Sequence, residues 1–328
     1  MSLLRWVLRL GLLWLSLAAT PVFAAAYDMP PPGSDIVGQV QHIKTQASDT
    51  FVALARKYDV GYRELRLANP DVDPWLPGDG TPVVIPSAYV LPNVAHEGIV
   101  INIPEMRIYY FPPEDSEYHG KVFTYPIGIG RQGWSTPLAE TKITQKIPHP
   151  TWTPPASIKK EHAEKGDPLP DVVAAGPNNP LGQYALRLGL PAYLIHGTNK
   201  PQGIGMRVSH GCIRLFPEDI SALFSMASVG TAVNIVSEPY KVGWQGKQLT
   251  MEAHPPDANG DAPVKSYTPW VQSLIAATQD NPGAPVGWER AETVVQHSDG
   301  MPHTIGTDPS REIPSDDTAD NTHDGGPD

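Results

Sequence analysis

From His96 onward the chain is built of short runs of β-branched and aromatic residues, cut every few positions by glycine or proline. That texture permits short strands and little else. "GIVINI" and "RIYYFP", with Pro104 and Glu105 between them, predict a hairpin, and "KVFTYPIGIG" a third strand. "QYALRL", "AYLIHG" and "TAVNIV" add further strands. Residues 126–182 are punctuated so heavily by proline and glycine that they read as irregular loops, where sites are often built. One segment breaks the pattern. "PEDISALFSMASVG" has Pro217 at a helix start, Glu218 and Asp219 at its positive end, and Ile220, Leu223, Phe224 and Ala227 on one stripe, with Gly230 available as a stop. The expectation for residues 96–238 is a mainly β, sandwich-like domain with one main helix.

Residues 38–86 differ in kind. "GQVQHIKT" predicts a strand, "SDTFVALARKY" a helix with Phe51, Leu54, Ala55 and Tyr58 on one face and Ser48 or Asp49 as its cap, "GYRELRLANP" a second helix, and "PGDGTPVVIP" a closing strand. This is a small α+β unit. Residues 239–280 predict a hairpin through Gln245-Gly246 and a short amphipathic helix at 267–278. Residues 281–328 read as an acidic disordered tail, since from 296 onward eight aspartates and glutamates face Arg311 alone and no apolar period is visible.

Arg5 and Arg9 precede an apolar stretch from Leu10 to Val22 and then Ala24, Ala25 and Ala26. That order predicts a secretory signal peptide over residues 1–24, hence a periplasmic, soluble product; an uncleaved anchor is the competing reading, disfavoured because a span needs about 20 apolar residues. The formal charge of -11 becomes -13 without Arg5 and Arg9, which argues against a nucleic-acid partner.

The chain has one cysteine, Cys212, in "RVSHGCIRLF". An exported protein with a single thiol uses it to pair between chains, as a reactive group, or as a small buried hydrophobe. Its surroundings favour reactivity. Gly211 lets the backbone turn sharply and approach a substrate, the Gly211 and Cys212 amides can face an oxyanion, and His196 ends the strand "YLIHG". Taken singly, each residue also has a plain structural reading. A zinc site from His196, His210 and Cys212 is a further alternative, without a CxxC or HExxH partner. A papain-like arrangement would place the cysteine first in the chain.

As a whole, "HGTNKPQGIGMRVSHGCIRL" resembles the active-site signature of the L,D-transpeptidases, the YkuD-type catalytic domain, and the likeness extends from "HEGIVINIPEMRIYYFP" through "YPIGIGRQGWSTP", "PTWTPPASI" and "GPNNPLGQYALRLG" to "VGTAVNIV". Residues 38–86 resemble a LysM peptidoglycan-binding domain, although the expected glycine before Asp49 is absent. The combination is similar to the periplasmic subgroup that anchors a lipoprotein to peptidoglycan or forms 3→3 cross-links. The resemblance implies Cys212 as nucleophile, His196 as base and then acid, the Gly197 carbonyl as the group that sets the imidazole tautomer, Ser209 and His210 as shapers of the cysteine loop, and Gly211 as part of the oxyanion hole. Arg214 stands where many members carry Asn. It reads either as a grip on a substrate carboxylate or as a salt bridge to Glu218 or Asp219. Arg207, Tyr193 and Trp152 are expected as cleft walls by position.

The implied reaction is cysteine-dependent acyl transfer on a tetrapeptide stem, through a thioester, with release of D-alanine and no metal or other cofactor. The implied acceptor is a C-terminal lysine of an outer-membrane lipoprotein or another diaminopimelate. Water as acceptor would make it an L,D-carboxypeptidase, and loss of catalysis would leave a non-catalytic LysM wall-binding protein. A periplasmic thiol reductant is an expected partner of the free thiol.

Overall fold

The computed structural model describes residues 25–131, 133–256 and 268–313. The expected signal peptide lies outside them. Nine strands form one continuous curled sheet. The hairpin Gly98–Asn102/Arg107–Phe111 is at its heart, flanked on one side by Lys121–Pro126 and the edge strand Ala25–Asp28, on the other by Ala232–Val236. Strand Ala139–Pro148 then joins two leaves. Its first half pairs with Ala232–Val236, its second half with Tyr184–Leu188, and the register slips between Ile143 and Gln145. A bulge of this kind bends a strand and lets the sheet turn a corner. Beyond it follow Leu194–His196 and Ile213–Arg214.

Both leaves drain into one core. Ile99, Ile101, Tyr125 and Ile143 of the first meet Leu186, Ile195 and Ile213 of the second, and helix Pro217–Met226 adds Ile220 and Leu223. The alternate side chains of the hairpin, Val100, Tyr109 and Phe111, are buried on the opposite face against Val37, Tyr89 and Leu91. The central strands are therefore apolar on both sides, which explains why they read as continuous runs rather than as alternation.

Several expectations need correction. Residues 126–182 are not all loop: they contain the strand Ala139–Pro148 and a helix, Ala156–Glu164, so the domain has a second helix. Residues 281–313 are ordered. Helix Trp288–His297 buries Ala291, Val294 and Val295, and Pro302–Thr307 completes a three-stranded sheet with Tyr240–Gln245 and Gln248–Ala253. Burial of Ile305, Leu249 and Met251 against Trp270 and Leu274 supplies the core that an acidic composition concealed. Residues 314–328 lie outside the described set. Among the described residues no helix is long and apolar enough to cross a membrane.

The small N-terminal unit pairs Gln41–Lys44 with Pro82–Ile85 and packs helices Phe51–Lys57 and Tyr62–Ala68 on them through Phe51, Leu54, Leu65 and Val83. Its first helix is capped by Thr50, whose Oγ1 accepts from the Ala53 amide at 3.2 Å, not by Ser48 or Asp49; Asp49 instead accepts from the Gln46 amide. Arg107, fully buried in the central hairpin, reaches Glu64 of this unit at 2.6 Å. Breaking a buried pair of this kind typically costs about 3–5 kcal/mol.

Candidate active site

The site is built on the second leaf. Strands Leu194–His196 and Ile213–Arg214 run parallel, with Ile195 opposite Ile213 and His196 opposite Arg214. Side chains alternate across a sheet, and paired residues share a face. Ile195 and Ile213 point into the core and are fully buried. His196 and Arg214 therefore project from the other face. Continuing the pairing by one residue sets Cys212 across from Leu194, two steps from Arg214 and on its face. All three line one cavity of about 860 Å³.

The imidazole is fixed by its own backbone. Nδ1 of His196 lies 2.6 Å from the Gly197 carbonyl oxygen. A carbonyl only accepts, so Nδ1 carries the proton and Nε2 keeps its lone pair. Burial, followed by the Arg214 charge, lowers the His196 pKa to about 3. Burial pushes the Cys212 thiol up, against the opposing pull of the Leu194 amide and Arg214. The resting pair is a neutral thiol and a neutral imidazole. The thiol points at the Ala192 carbonyl, 3.7 Å away, and Ala192 holds a left-handed φ of 67° to present it.

The turn before the sulfur is tied by Ser209. Its hydroxyl donates to the Cys212 carbonyl at 2.6 Å and accepts from the Gly211 amide at 3.2 Å. Gly211 has φ +105°, its carbonyl accepts from Thr136 Oγ1 at 2.8 Å, and a Cβ there would come 3.2 Å from the Tyr193 ring. The Gly211 amide is thus engaged by Ser209 rather than open to the cavity. His210 lines the same cavity and is tied to a charged pair at its rim: its Nε2 is 3.0 Å from Arg131 and 3.2 Å from Glu161, with the Trp134 ring edge-on. Burial lowers the His210 pKa, with Glu161 opposing. Arg131 and Glu161 are themselves ion-paired.

Arg214 does not bridge to the helix. Glu218 is held by Arg56 of the N-terminal unit at 2.8 and 3.0 Å, and Asp219 is buried beside Asp59. Among the described residues no carboxylate pairs with Arg214, and its Nε is buried without a hydrogen-bond partner. Trp152 lines the cavity, but Tyr193 and Arg207 do not. Tyr193 backs onto Gly211, and the pairing of Arg207–Ser209 with Ile129–Gly130 slips between Arg207 and Ser209, so the alternation from Ser209 does not carry to Arg207.

The zinc alternative also lacks geometry. Among the described residues the one group of metal-ligating atoms within 4.8 Å of each other is Glu105, Glu252 and His254. That group is filled by the Lys241 ammonium, 2.9 Å from Glu105 and 2.8 Å from Glu252.

Sequence reasoning missed Glu161, Arg131 and Thr136, and three cavity residues from the N-terminal unit, Thr50, Val52 and Trp75. The Lys160/Glu164 and Glu161/Lys165 pairs at i,i+4 were a legible sign of the helix that carries Glu161. Nothing in the sequence marks Trp75.

Chemically, the site offers a thiol, an imidazole held through Nδ1 by the Gly197 carbonyl, and a guanidinium that no carboxylate pairs among the described residues. The model of the YkuD L,D-transpeptidase catalytic domain matches residues 96–235. The chain is 45% identical over 245 residues to the probable L,D-transpeptidase YcfS of Escherichia coli K12, covering 73% of this chain and 75% of that one. It is 41% identical to the probable L,D-transpeptidase YbiS of the same strain over 285 residues, 85% of this chain and 91% of the relative. The probable L,D-transpeptidase ErfK/SrfK of that strain is 39% identical over 296 residues, 86% and 91% of the two chains.

Proposed function

The chain belongs to the L,D-transpeptidase family, and on that premise we propose that it remodels peptidoglycan by a two-step acyl transfer through Cys212. His196 Nε2 removes the thiol proton as Sγ attacks the carbonyl of the third stem residue, diaminopimelate, at its L-centre. The carbon–nitrogen bond to D-alanine breaks, and His196 returns the proton to the departing amine. A thioester to Cys212 remains. An acceptor amine then attacks the thioester, gives its proton to His196, and the thiol is restored. Splitting the exchange in two is what a covalent nucleophile gains, and a thioester favours attack by an amine.

The observation that carries this reading is the common face of Cys212, His196 and Arg214 on one parallel strand pair at one cavity. Arg214 holds a stem carboxylate, the role suited to a partly buried guanidinium whose Nε has no hydrogen-bond partner among the described residues. A carboxylate there also offsets the charge that depresses His196, so the base strengthens when the donor binds. With the Gly211 amide engaged by Ser209, the developing oxyanion falls to the Cys212 amide. The acceptor is a lipoprotein lysine or a second diaminopimelate, the compartment is the periplasm reached by the 1–24 leader, and a thiol reductant keeps the single cysteine active.

Product analysis tests this. Purified protein with tetrapeptide muropeptides, with and without a lipoprotein ending in lysine, should release D-alanine and give dimers or adducts. Release of D-alanine with tripeptide as the sole product would make it a carboxypeptidase, and no release at all would refute the reading.

A further inference from the structure

The cavity at Cys212 has a second wall from another part of the chain. Thr50 and Val52, at the start of the first helix of the N-terminal unit, and Trp75, in the loop after its second helix, line the same space as Cys212, His196 and Arg214. We propose, resting on the acyl-transfer reading above, that the N-terminal unit is a fixed part of the catalytic cleft and that Trp75 selects donors whose peptide stem still carries its sugar.

The unit is fastened to both segments that flank the sulfur. Before it, Gly205 lies in the connection from His196 to Cys212, at φ +76°, and nests against Gly61; a Cβ there would sit 2.2 Å from the Tyr62 nitrogen. The Arg63 amide donates to the Gly205 carbonyl at 3.3 Å. After it, Arg56 takes both oxygens of Glu218 in the first turn of the helix that follows Arg214. Beneath, the Glu64–Arg107 pair is buried. Contacts on three sides, one of them a buried ion pair, hold the unit as a wall rather than as a module on a tether.

Trp75 is 59% exposed although it is the largest apolar side chain of the unit. Its loop is pinned by the Asp73 carboxylate, which accepts from the Trp75 and Leu76 amides at 2.8 and 3.2 Å. Its ring leans on Tyr62, with centroids 6.2 Å apart. A rigid, open indole at a cleft that also holds a nucleophile is a recognition surface. A flat apolar face with an N–H at its rim suits a sugar ring, which has an apolar C–H face and a polar edge. Three extended stem residues span about 10 Å, so with the third residue at Cys212 the sugar end of the stem lies well away from the sulfur, towards other residues lining the same cavity, of which Trp75 is one.

The test compares the free tetrapeptide with the same tetrapeptide on its disaccharide, using the full chain and its Trp75→Ala and Trp75→Phe variants. The wild type should prefer the disaccharide form by about tenfold in kcat/KM, expressed in KM. Trp75→Ala should bring that ratio close to one, and Trp75→Phe should retain most of it. Binding of both ligands to Cys212→Ala, with and without Trp75→Ala, gives the same comparison without turnover. Equal handling of the two donors by the wild type, or a Trp75→Ala loss of the same factor on both, overturns the proposal. A binding preference that survives in a protein with no turnover on either donor refutes the acyl-transfer reading and not the role of Trp75.

Discussion

Arg214 lies directly opposite His196 across the parallel strand pair, so the proposed base has a fixed cation as its registered neighbour. After burial, that charge is the next cause of the low His196 pKa of about 3. Removing it raises the pKa. The acid limb of kcat/KM against pH, which reports the free enzyme's base, should move to higher pH in Arg214→Gln, while KM for the donor rises about 10- to 100-fold through loss of a charge-assisted contact. Arg214→Lys keeps the charge and should leave the acid limb in place while still raising KM. Initial rates from about pH 2 to about pH 9 on the three proteins, which take in an acid limb near the His196 value of about 3, separate the two effects.

Asp219 is buried in the first turn of the helix after the site, against Asp59, with Glu218 and Arg107 also nearby. Burial, then the charge of Asp59, pushes its pKa well up. A carboxyl raised in the fold contributes stability at acid pH, and the contribution is lost as pH rises from the unfolded value towards the folded one. Asp219→Asn cannot suffer that loss. Its melting temperature should match wild type near pH 4 and exceed it at pH 7, with the gain growing by up to about 1.4 kcal/mol per pH unit. A difference independent of pH would assign the effect to packing instead.

Gly205 tests the joint between the two units. Alanine there meets the Tyr62 nitrogen and adopts an unfavourable positive φ. Gly205→Ala should weaken docking by on the order of 1–3 kcal/mol, seen as faster proteolysis between the units, and should raise KM for the disaccharide donor. An unchanged digestion pattern would mean that the backbone yields without cost.

The buried Lys241 tests the reading of its carboxylate cluster. It is fully buried between Glu105 and Glu252, with Tyr109 donating to Glu105 and His254 bonded to Glu252. Lys241→Met leaves two carboxylates without their cation and should lower stability by about 3–5 kcal/mol. Chelators should leave the wild-type melting temperature unchanged. Stabilisation of the wild type by added zinc would show that the carboxylates prefer a metal to the lysine.

The proposed catalytic pair, Cys212 and His196, could be named from the sequence because its chemistry is local there: one cysteine after His-Gly, one histidine closing an apolar run. The hairpin around Ile99 and Ile108 was legible for the same reason, since fully buried strands advertise themselves as apolar runs. Ala139–Pro148 was not. Only Ile143 in it is buried, so it has no apolar alternation, and its strand form comes from neighbours on both sides. Helix Trp288–His297 hid behind a stripe of only three buried residues, Ala291, Val294 and Val295. The cavity's second wall was beyond reach because Trp75 and Cys212 are 137 positions apart, and only the docking of the two units joins them. Arg214's freedom was undecidable for a related reason: its rivals Glu218 and Asp219 are claimed by Arg56 and Asp59, residues of the other unit.

The most direct test of the account is the mass of the intact protein, quenched in acid within the first turnovers on a tetrapeptide donor without acceptor. An acyl-enzyme heavier by the tripeptide acyl group, mapped to Cys212 and absent from Cys212→Ala, is the predicted result. D-Alanine release at the wild-type rate from Cys212→Ala, or turnover by the wild type with the acyl group on any other residue, would contradict it.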